Sequence, residues 1–368
     1  MSLSNSNGEA ASFDLDALGW TPGRAAGFEP YRAQGLVPAR VAAAHRDVYR
    51  VWSPSGESLA EVSGRLRHAA VDHASLPATG DWVALRLPPG DGRAVVDAVL
   101  PRQSCFSRKT AGERTQEQVV AANVDTVFLL AGLDGDFKLR RLERTLVLAW
   151  DSGASPVIVL TKADLCPETA LRRDEVEAIA PGVPVFAVSS LLGEGLDALA
   201  PFVAPGRTVA LLGSSGVGKS TLLNRLLGWD RQATRAVRAH DSRGRHTTTF
   251  RELVRLPGGG LIIDTPGLRE LQLWVDDAEM ALSGTFEDID SLAARCAFRD
   301  CRHAQEPGCA VRQALDDGTL DAARFGSFLK LQKELRHLER RQDLFAQLAE
   351  KRRWRAIHRA ARQRRPRE

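Results

Sequence analysis

Residues 213–220 hold the groups needed to bind a chain of phosphates. They read GSSGVGKS and fit the pattern G-x-x-x-x-G-K-[ST], with an apolar run before them and an amphipathic segment behind. In such a loop backbone N–H groups point at the phosphates, Lys219 adds a positive charge, and the hydroxyl of Ser220 is a ligand for Mg²⁺. An ordinary glycine-rich turn is the alternative, which the flanking strand and helix patterns disfavour. The predicted phosphate-binding residues are Gly213, Ser214, Ser215, Gly216, Val217, Gly218, Lys219, Ser220 and Thr221.

A second polar group follows the apolar run VIVL at residues 157–160. Thr161, Lys162, Ala163 and Asp164 resemble the Asn-Lys-x-Asp motif with which GTPases read guanine. A carboxylate at Asp164 can accept from N1–H and from the exocyclic amine of guanine, whereas adenine offers no matching pair of donors. The stem of Lys162 would cover the face of the base. This tetrapeptide therefore predicts a guanine nucleotide, with a solvated loop as the alternative.

Two further features bear on the base. Thr161 stands where the motif usually has Asn, which removes an amide that would tie the base edge to the phosphate loop and predicts reduced affinity. Ser189 and Ser190 end the next predicted strand, where their backbone N–H groups can meet O6 of guanine. The serine pair favours guanine reading over a solvated loop.

Downstream of the phosphate loop lie two segments typical of nucleotide switches. Residues 264–267 read DTPG, in which Asp264 is predicted to reach Mg²⁺ through water and the N–H of Gly267 to sense the γ-phosphate. Residues 244–249 read GRHTTT, and Thr248 is predicted to close over Mg²⁺ and the γ-phosphate. A flexible polar loop is the alternative for this second segment.

The residue after DTPG predicts slow hydrolysis. Many GTPases place there a Gln that orients the attacking water, but this chain has Leu268, which has no hydrogen-bonding group. His246 is the preferred candidate for positioning that water once an activator orders the loop, and an exposed loop histidine is the alternative. With Lys219 and Thr248 it completes the predicted catalytic set.

A cluster of metal-ligand types lies further along, spaced C-x4-C-x-H-x5-C. Its members are Cys296, Cys301, His303 and Cys309. Three thiolates and one imidazole suit a tetrahedral Zn²⁺, and four protein ligands leave no open position, so the site is predicted to be structural. Buried free thiols with a chance histidine are disfavoured because only Cys105 and Cys166 remain, too few for a disulfide framework.

The hydrophobic pattern predicts the elements that must position these residues. Apolar runs separated by helix-length segments indicate a parallel sheet covered on both faces. The runs lie at residues 126–131, 157–160, 183–188, 208–212 and 260–263.

Short β-type runs broken by turn signals precede this sheet, over residues 37–106. In residues 82–87 the apolar Val83, Leu85 and Leu87 alternate with their neighbours, which predicts a half-buried strand. Several such strands suggest a small β-barrel, of which the oligonucleotide-binding (OB) type is one option.

The motifs occur in an unusual order: base, base, phosphate loop, first switch, second switch. Because the termini of a compact α/β domain lie close together, joining them and cutting elsewhere leaves a site intact, so we predict a circularly permuted GTPase domain. The predicted fold is therefore multi-domain. It has a disordered tail (1–30), an OB-like β-barrel (31–106), a circularly permuted α/β P-loop GTPase domain (107–275), and a zinc-binding, mainly helical domain with a basic tail (276–368).

The basic charge is concentrated at the C-terminal end. The formal net charge is +4, yet residues 351–368 hold nine Lys or Arg and one acid. This density predicts an RNA phosphate backbone as partner, with Trp354 placed to stack on a base; a solvated helical face is the alternative. No run approaches a bilayer span, and residues 1–18 lack the pattern of a signal peptide, so we expect a cytoplasmic protein without membrane contact.

The chain resembles the RsgA (YjeQ) family of circularly permuted GTPases that depend on the small ribosomal subunit. The motif order, GSSGVGKST, GRHTTT, DTPG, the preceding barrel and the Cys cluster carry the resemblance over about residues 37–310. It implies binding to the 30S subunit and its rRNA, GTP hydrolysis stimulated by that subunit, and a role in late 30S maturation. It also implies GTP/GDP, Mg²⁺ and one structural Zn²⁺ on the four Cys and His positions. Other assembly factors are further candidate partners, and the protein is expected to be a monomer.

Three other functions are weighed against this one. A nucleotide-gated RNA-binding scaffold with incidental hydrolysis would share the motifs. A P-loop kinase or ATPase is disfavoured by the pairing of TKAD with DTPG. A large-subunit assembly GTPase with the same permutation suits neither the barrel nor the metal cluster.

Overall fold

The computed structural model describes residues 12–336 except 46, 71–72, 89, 91, 110–116, 136, 229–251 and 265–277. These residues fall into two compact units, whose described parts are residues 12–264 and residues 278–336. None of the described helices has the length and apolar character required to cross a bilayer.

The first unit begins with a closed five-stranded barrel. Its strands are β1 (Val37–His45), β2 (Val48–Ser53), β3 (Gly56–Val62), β4 (Trp82–Arg86) and β5 (Ala94–Val99), with helix α2 (Gly64–Ala69) between β3 and β4. Strand β1 pairs with both β2 and β4, β2 with β3, β3 with β5 in parallel, and β5 with β4, which closes the ring. Buried Val41, Val51, Leu85 and Val96 help to fill the interior. The predicted OB-like barrel is confirmed.

Residues 12–32 cover the outside of this barrel. Thr21 caps helix α1 (Pro22–Arg32), Leu18 and Phe28 are fully buried, and the ring of Trp20 lies 4.7 Å from that of Trp82 on β4. The prediction of a disordered tail over residues 1–30 is therefore wrong for residues 12–30. For the same reason β4 is buried on both faces rather than half-buried, since its outward residues meet this segment.

Arg40 of β1 lies at the centre of this packing and is almost completely buried. Its guanidinium donates to the carbonyls of Leu18, Gly80 (3.3 Å) and Asn123 (3.0 Å). Burial, followed by the nearby charge of Arg24, lowers the pKa of Arg40 to about 9, so the side chain remains charged at neutral pH. One buried cation thus joins the N-terminal segment, the barrel and the chain that enters the central sheet.

A two-stranded ribbon, β6 (Cys105–Lys109) and β7 (Glu117–Ala122), follows the barrel. The predicted division at residue 106 stays a prediction, although β6 runs across that position. Strand β12 pairs with β1 at Glu252 and Ala43, so barrel strands and central strands belong to one continuous sheet.

The central sheet alternates with helices along the chain. Its elements are β8 (Thr126–Gly132), α3 (Leu139–Asp151), β9 (Ser155–Thr161), α4 (Thr169–Ile179), β10 (Val185–Ala187), β11 (Thr208–Gly213), α5 (Lys219–Leu226), β12 (Glu252–Arg255) and β13 (Leu261–Asp264). The strands lie in the order β10-β9-β8-β11-β13-β12, all parallel except β12. Alternate residues of β8, such as Val127 and Phe128, enter different apolar clusters. The predicted parallel sheet with two covered faces is confirmed.

The second unit is mainly helical over its described residues. It comprises α6 (Ala278–Thr285), α7 (Glu287–Ala293), α8 (Ala310–Asp316) and helical residues 322–336. Buried Phe286 and Phe328 pack edge to face, with ring centroids 5.4 Å apart. Arg324 forms two 2.7 Å hydrogen bonds to the carboxylate of Asp288, which fastens the last helical segment to α7.

Candidate functional site

The predicted site residues of the first unit gather at one edge of the central sheet. The phosphate loop follows β11, the TKAD segment follows β9, and Ser189 and Ser190 follow β10. Asp264 ends the neighbouring strand β13. Since the carboxyl ends of parallel strands meet at the same edge, motifs far apart in the sequence become neighbours.

The phosphate loop occupies the turn between β11 and α5, and helix α5 begins at Lys219. Gly218 adopts a left-handed conformation (φ 103°) at the helix N-terminus, and a Cβ on Gly213 would lie 2.8 Å from a carbonyl oxygen of β8. Both positions therefore require glycine. The ammonium of Lys219 donates to the carbonyls of Gly213 and Ser214, so it lies within the loop.

Thr161 links the TKAD segment to the phosphate loop. Its buried hydroxyl donates to the carbonyl of Val217 over 2.6 Å, and Gly218 lies in contact range of the same side chain. The expectation that Thr161 loses this tie is wrong, because a shorter side chain with a hydroxyl makes the link that an amide would make. Reduced affinity no longer follows from this substitution.

Asp164 is oriented by the loop after β10. The hydroxyl of Ser189 donates to one carboxylate oxygen over 2.6 Å and accepts from the N–H of Leu192 at 3.1 Å. The backbone N–H of Ser189 donates to the carbonyl of Glu194 at 3.0 Å. The predicted contact of that N–H with O6 of guanine is therefore wrong for this structure, and for Ser190 it stays a prediction.

The sequence-based reasoning did not identify Asp134 and Arg225. Asp134, just after β8, forms an ion pair with the ammonium of Lys162. Arg225 of α5 donates to the carbonyls of Ser190 (3.0 Å) and Leu191 (3.2 Å), which fastens the loop after β10 to the helix behind the phosphate loop. The position of Asp134 directly after a predicted strand at the site edge was the only available signal for it.

Several predicted residues lie outside the described part of the chain. These are His246 and Thr248 of the first switch, Gly267 and Leu268 of the second, and the basic segment 351–368 with Trp354. Of the predicted Mg²⁺ ligands, Ser220 opens α5 and the backbone of Asp264 ends β13. Their roles stay predictions.

The cysteine and histidine cluster of the second unit is assembled as the spacing predicts. The ligand atoms of Cys296, Cys301, His303 and Cys309 all lie within 4.8 Å of one another. The Sγ atoms of Cys296 and Cys309 are 3.9 Å apart, and they lie 3.6 Å and 3.5 Å from Nδ1 of His303. Zinc bonded to sulfur at about 2.3 Å and to nitrogen at about 2.0 Å gives tetrahedral edges of about 3.8 Å and 3.5 Å. The cluster therefore fits Zn²⁺ with Nδ1 as the histidine ligand.

Glu306 orders the loop that carries this cluster. Its carboxylate accepts from the backbone N–H groups of Arg302 (3.0 Å), Ala304 (2.9 Å) and Gln305 (3.0 Å). Hydrogen bonds from backbone N–H groups, its own foremost, lower the pKa of Glu306 to about 2, so the carboxylate stays ionised. Sequence reasoning did not identify this residue.

The strand order, the phosphate loop and the guanine-type segment define a circularly permuted P-loop GTPase preceded by a five-stranded barrel. The chain belongs to the RsgA GTPase family. A family model described as RsgA GTPase matches residues 99–274.

Similar proteins support this assignment over most of the chain. A relative from Opitutus terrae, named small ribosomal subunit biogenesis GTPase RsgA, is 51% identical over 358 residues, covering 95% of this chain and 97% of its own. The crystal structure of YjeQ from Thermotoga maritima matches 82% of this chain and 99% of its own, with a TM-score of 0.60 and 26% identity. YloQ, described as a circularly permuted GTPase, matches 83% and 96%, with a TM-score of 0.58 and 26% identity.

Proposed function

We propose that this protein hydrolyses GTP under stimulation by the small ribosomal subunit and acts in late maturation of that subunit. The observation that carries the proposal is the edge of the central sheet, where the TKAD segment is bonded to the phosphate loop through Thr161. The relative from Opitutus terrae, named for small-subunit biogenesis, supports the partner. The protein then works as a monomer in the cytoplasm, where ribosomal subunits assemble, and other assembly factors are candidate partners.

Specific residues are assigned to the nucleotide. Asp164, held by Ser189, reads the guanine edge, and Lys162 covers the base. The loop of residues 213–221 holds the phosphates. Ser220 and Thr248 would hold Mg²⁺ directly and Asp264 through water; when bound, the ion neutralises charge that develops on the phosphates.

His246 is proposed to position the attacking water once the small subunit orders its segment. We expect His246→Ala to lower stimulated turnover by about 100-fold while GDP affinity stays unchanged, because proton-transfer and positioning groups contribute about that factor. The measurement is GTP turnover at saturating small subunits. His240→Ala removes a histidine from the same segment and serves as the control. Stimulated turnover near the unmodified rate would remove His246 from the mechanism.

The metal-binding loop offers a surface for rRNA. Arg295, Arg299 and Arg302 are exposed and form no side-chain ion pair or hydrogen bond within the described residues. Phe298, between them, is 48% exposed. Arginines that contact phosphates and an aromatic ring that stacks on a base are the usual means of holding single-stranded RNA. The basic segment 351–368 would extend this surface.

Binding to purified small subunits tests the partner. We expect co-sedimentation with a non-hydrolysable GTP analogue to exceed that with GDP and to weaken steeply with salt. Replacing Arg295, Arg299 and Arg302 together by Ala should lower the slope of log K against log salt by about 3, one for each phosphate contact. Arg173→Ala, on α4 where Arg173 pairs with Glu177, is the control. Absence of binding in both nucleotide states contradicts the proposed partner.

A further inference from the structure

Asp134 and Lys162 form an ion pair beside the site proposed to hold the guanine base. Asp134 lies just beyond β8, and Lys162 just beyond β9, at the edge where Gly132 and Thr161 are register partners. The carboxylate of Asp134 binds the ammonium of Lys162, and each side chain is 30% exposed. Lys162 is in the left-handed region (φ 59°), which is uncommon for a residue other than glycine and is found preferentially at functional sites.

The turn that carries Asp134 is anchored on both sides. The N–H of Leu133 donates to the carbonyl of Thr161 over 2.9 Å, and that of Phe137 donates to the carbonyl of Asp134 over 3.1 Å. The ring of Phe137 packs against the main apolar cluster and lies 5.5 Å from the guanidinium carbon of Arg172. The carboxylate of Asp134 is therefore held in place before any ligand binds.

An ion pair of this exposure adds little to the stability of a fold. Its effect falls instead on Lys162, whose long side chain loses much rotamer freedom when it is fixed. Fixing that side chain in advance removes an entropic cost from the binding step, which raises affinity.

We propose that Asp134 is a positioning residue for nucleotide binding, which acts by holding the stem of Lys162 against the face of the guanine base. The inference rests on the guanine-reading role proposed for residues 161–164. Because Asp134 acts on the base face rather than on the base edge, it raises affinity for any purine diphosphate that Asp164 admits and does not change the choice among them.

The test compares GDP with inosine diphosphate, which lacks the 2-amino group, in binding measurements on the full chain. We expect Asp134→Ala to weaken both ligands by about the same factor of ten, since only preorganisation is lost. In a Lys162→Ala background the further change Asp134→Ala should have no effect, because Asp134 acts through that side chain. Asp134→Asn, which keeps the size of the side chain, should act in the same direction and guards against a folding defect.

Asp174→Ala, which removes an exposed carboxylate from α4, is the control for net charge. GDP affinity of Asp134→Ala within twofold of the unmodified chain would overturn the inference, and so would independent, multiplying effects of the two substitutions or a changed ratio between the ligands. If the unmodified chain binds neither ligand, the proposed guanine reading fails together with this inference. Normal binding by the unmodified chain with a silent Asp134→Ala overturns this inference alone.

Discussion

Replacing Asp164 with Asn is expected to lower GDP affinity by about 100-fold and to make xanthosine diphosphate the preferred ligand. The carboxylate accepts two hydrogen bonds from the guanine edge, and bonds to a charged group contribute about 1.5–3 kcal/mol each. An amide at this position still accepts from N1–H but presents a donor to the 2-amino group, which is also a donor. In xanthine the same position carries an oxygen, which accepts from the amide.

Competition binding with GDP, xanthosine diphosphate and ADP measures this change. Asp174→Asn, on the exposed side of α4, should leave all three affinities unchanged. Ser189→Ala is expected to weaken GDP without a change of preference, since Ser189 orients the carboxylate but does not touch the base edge. If Asp164→Asn retains the original preference for GDP over xanthosine diphosphate, another residue reads the base.

Removing zinc from the second unit is expected to unfold the loop around the cluster while nucleotide binding by the first unit persists. The loop from residue 296 to residue 309 joins α7 to α8, and most of its residues are exposed. In small domains the free energy of binding structural zinc, about 10–16 kcal/mol, is largely folding free energy. Cys309→Ala should have the same effect, because Cys309 is both a ligand and the N-cap of α8.

Hydrogen exchange of residues 293–316, together with the zinc content of the purified protein, measures the effect. Exchange in this region should accelerate by at least about 100-fold after chelation, because local opening is no longer opposed by the metal. Cys105→Ser, a thiol of the β6 ribbon outside the cluster, should leave both readouts unchanged. A protein that is folded and protected here without bound metal would contradict a structural zinc site.

Motifs with strict local requirements were predictable from the sequence. The phosphate loop was recognisable because glycine is required where the backbone turns left-handed and where it approaches β8. The central strands were predictable because each is a continuous apolar run buried on both faces. The four metal ligands lie within 14 residues, so their spacing alone limited the possible geometry.

Features that depend on distant partners were not predictable in this way. The segment of residues 12–32 has no strong local pattern, and it is ordered by contacts such as that of Trp20 with Trp82. The hydroxyl of Thr161 meets a carbonyl 56 residues away, and Asp134 meets Lys162 28 residues away. Each of these contacts follows from the register of parallel strands, which a reading of one segment at a time does not reveal.

Steady-state GTP turnover by the purified full chain, titrated with mature and immature small-subunit particles, is the decisive measurement. We expect slow turnover by the protein alone, because Leu268 replaces the residue that orients water in many GTPases, and saturable stimulation by the particles. ATP should be neither bound nor turned over at comparable concentrations. Turnover that does not respond to small-subunit particles, or that prefers ATP, would contradict a small-subunit-activated guanine nucleotide hydrolase.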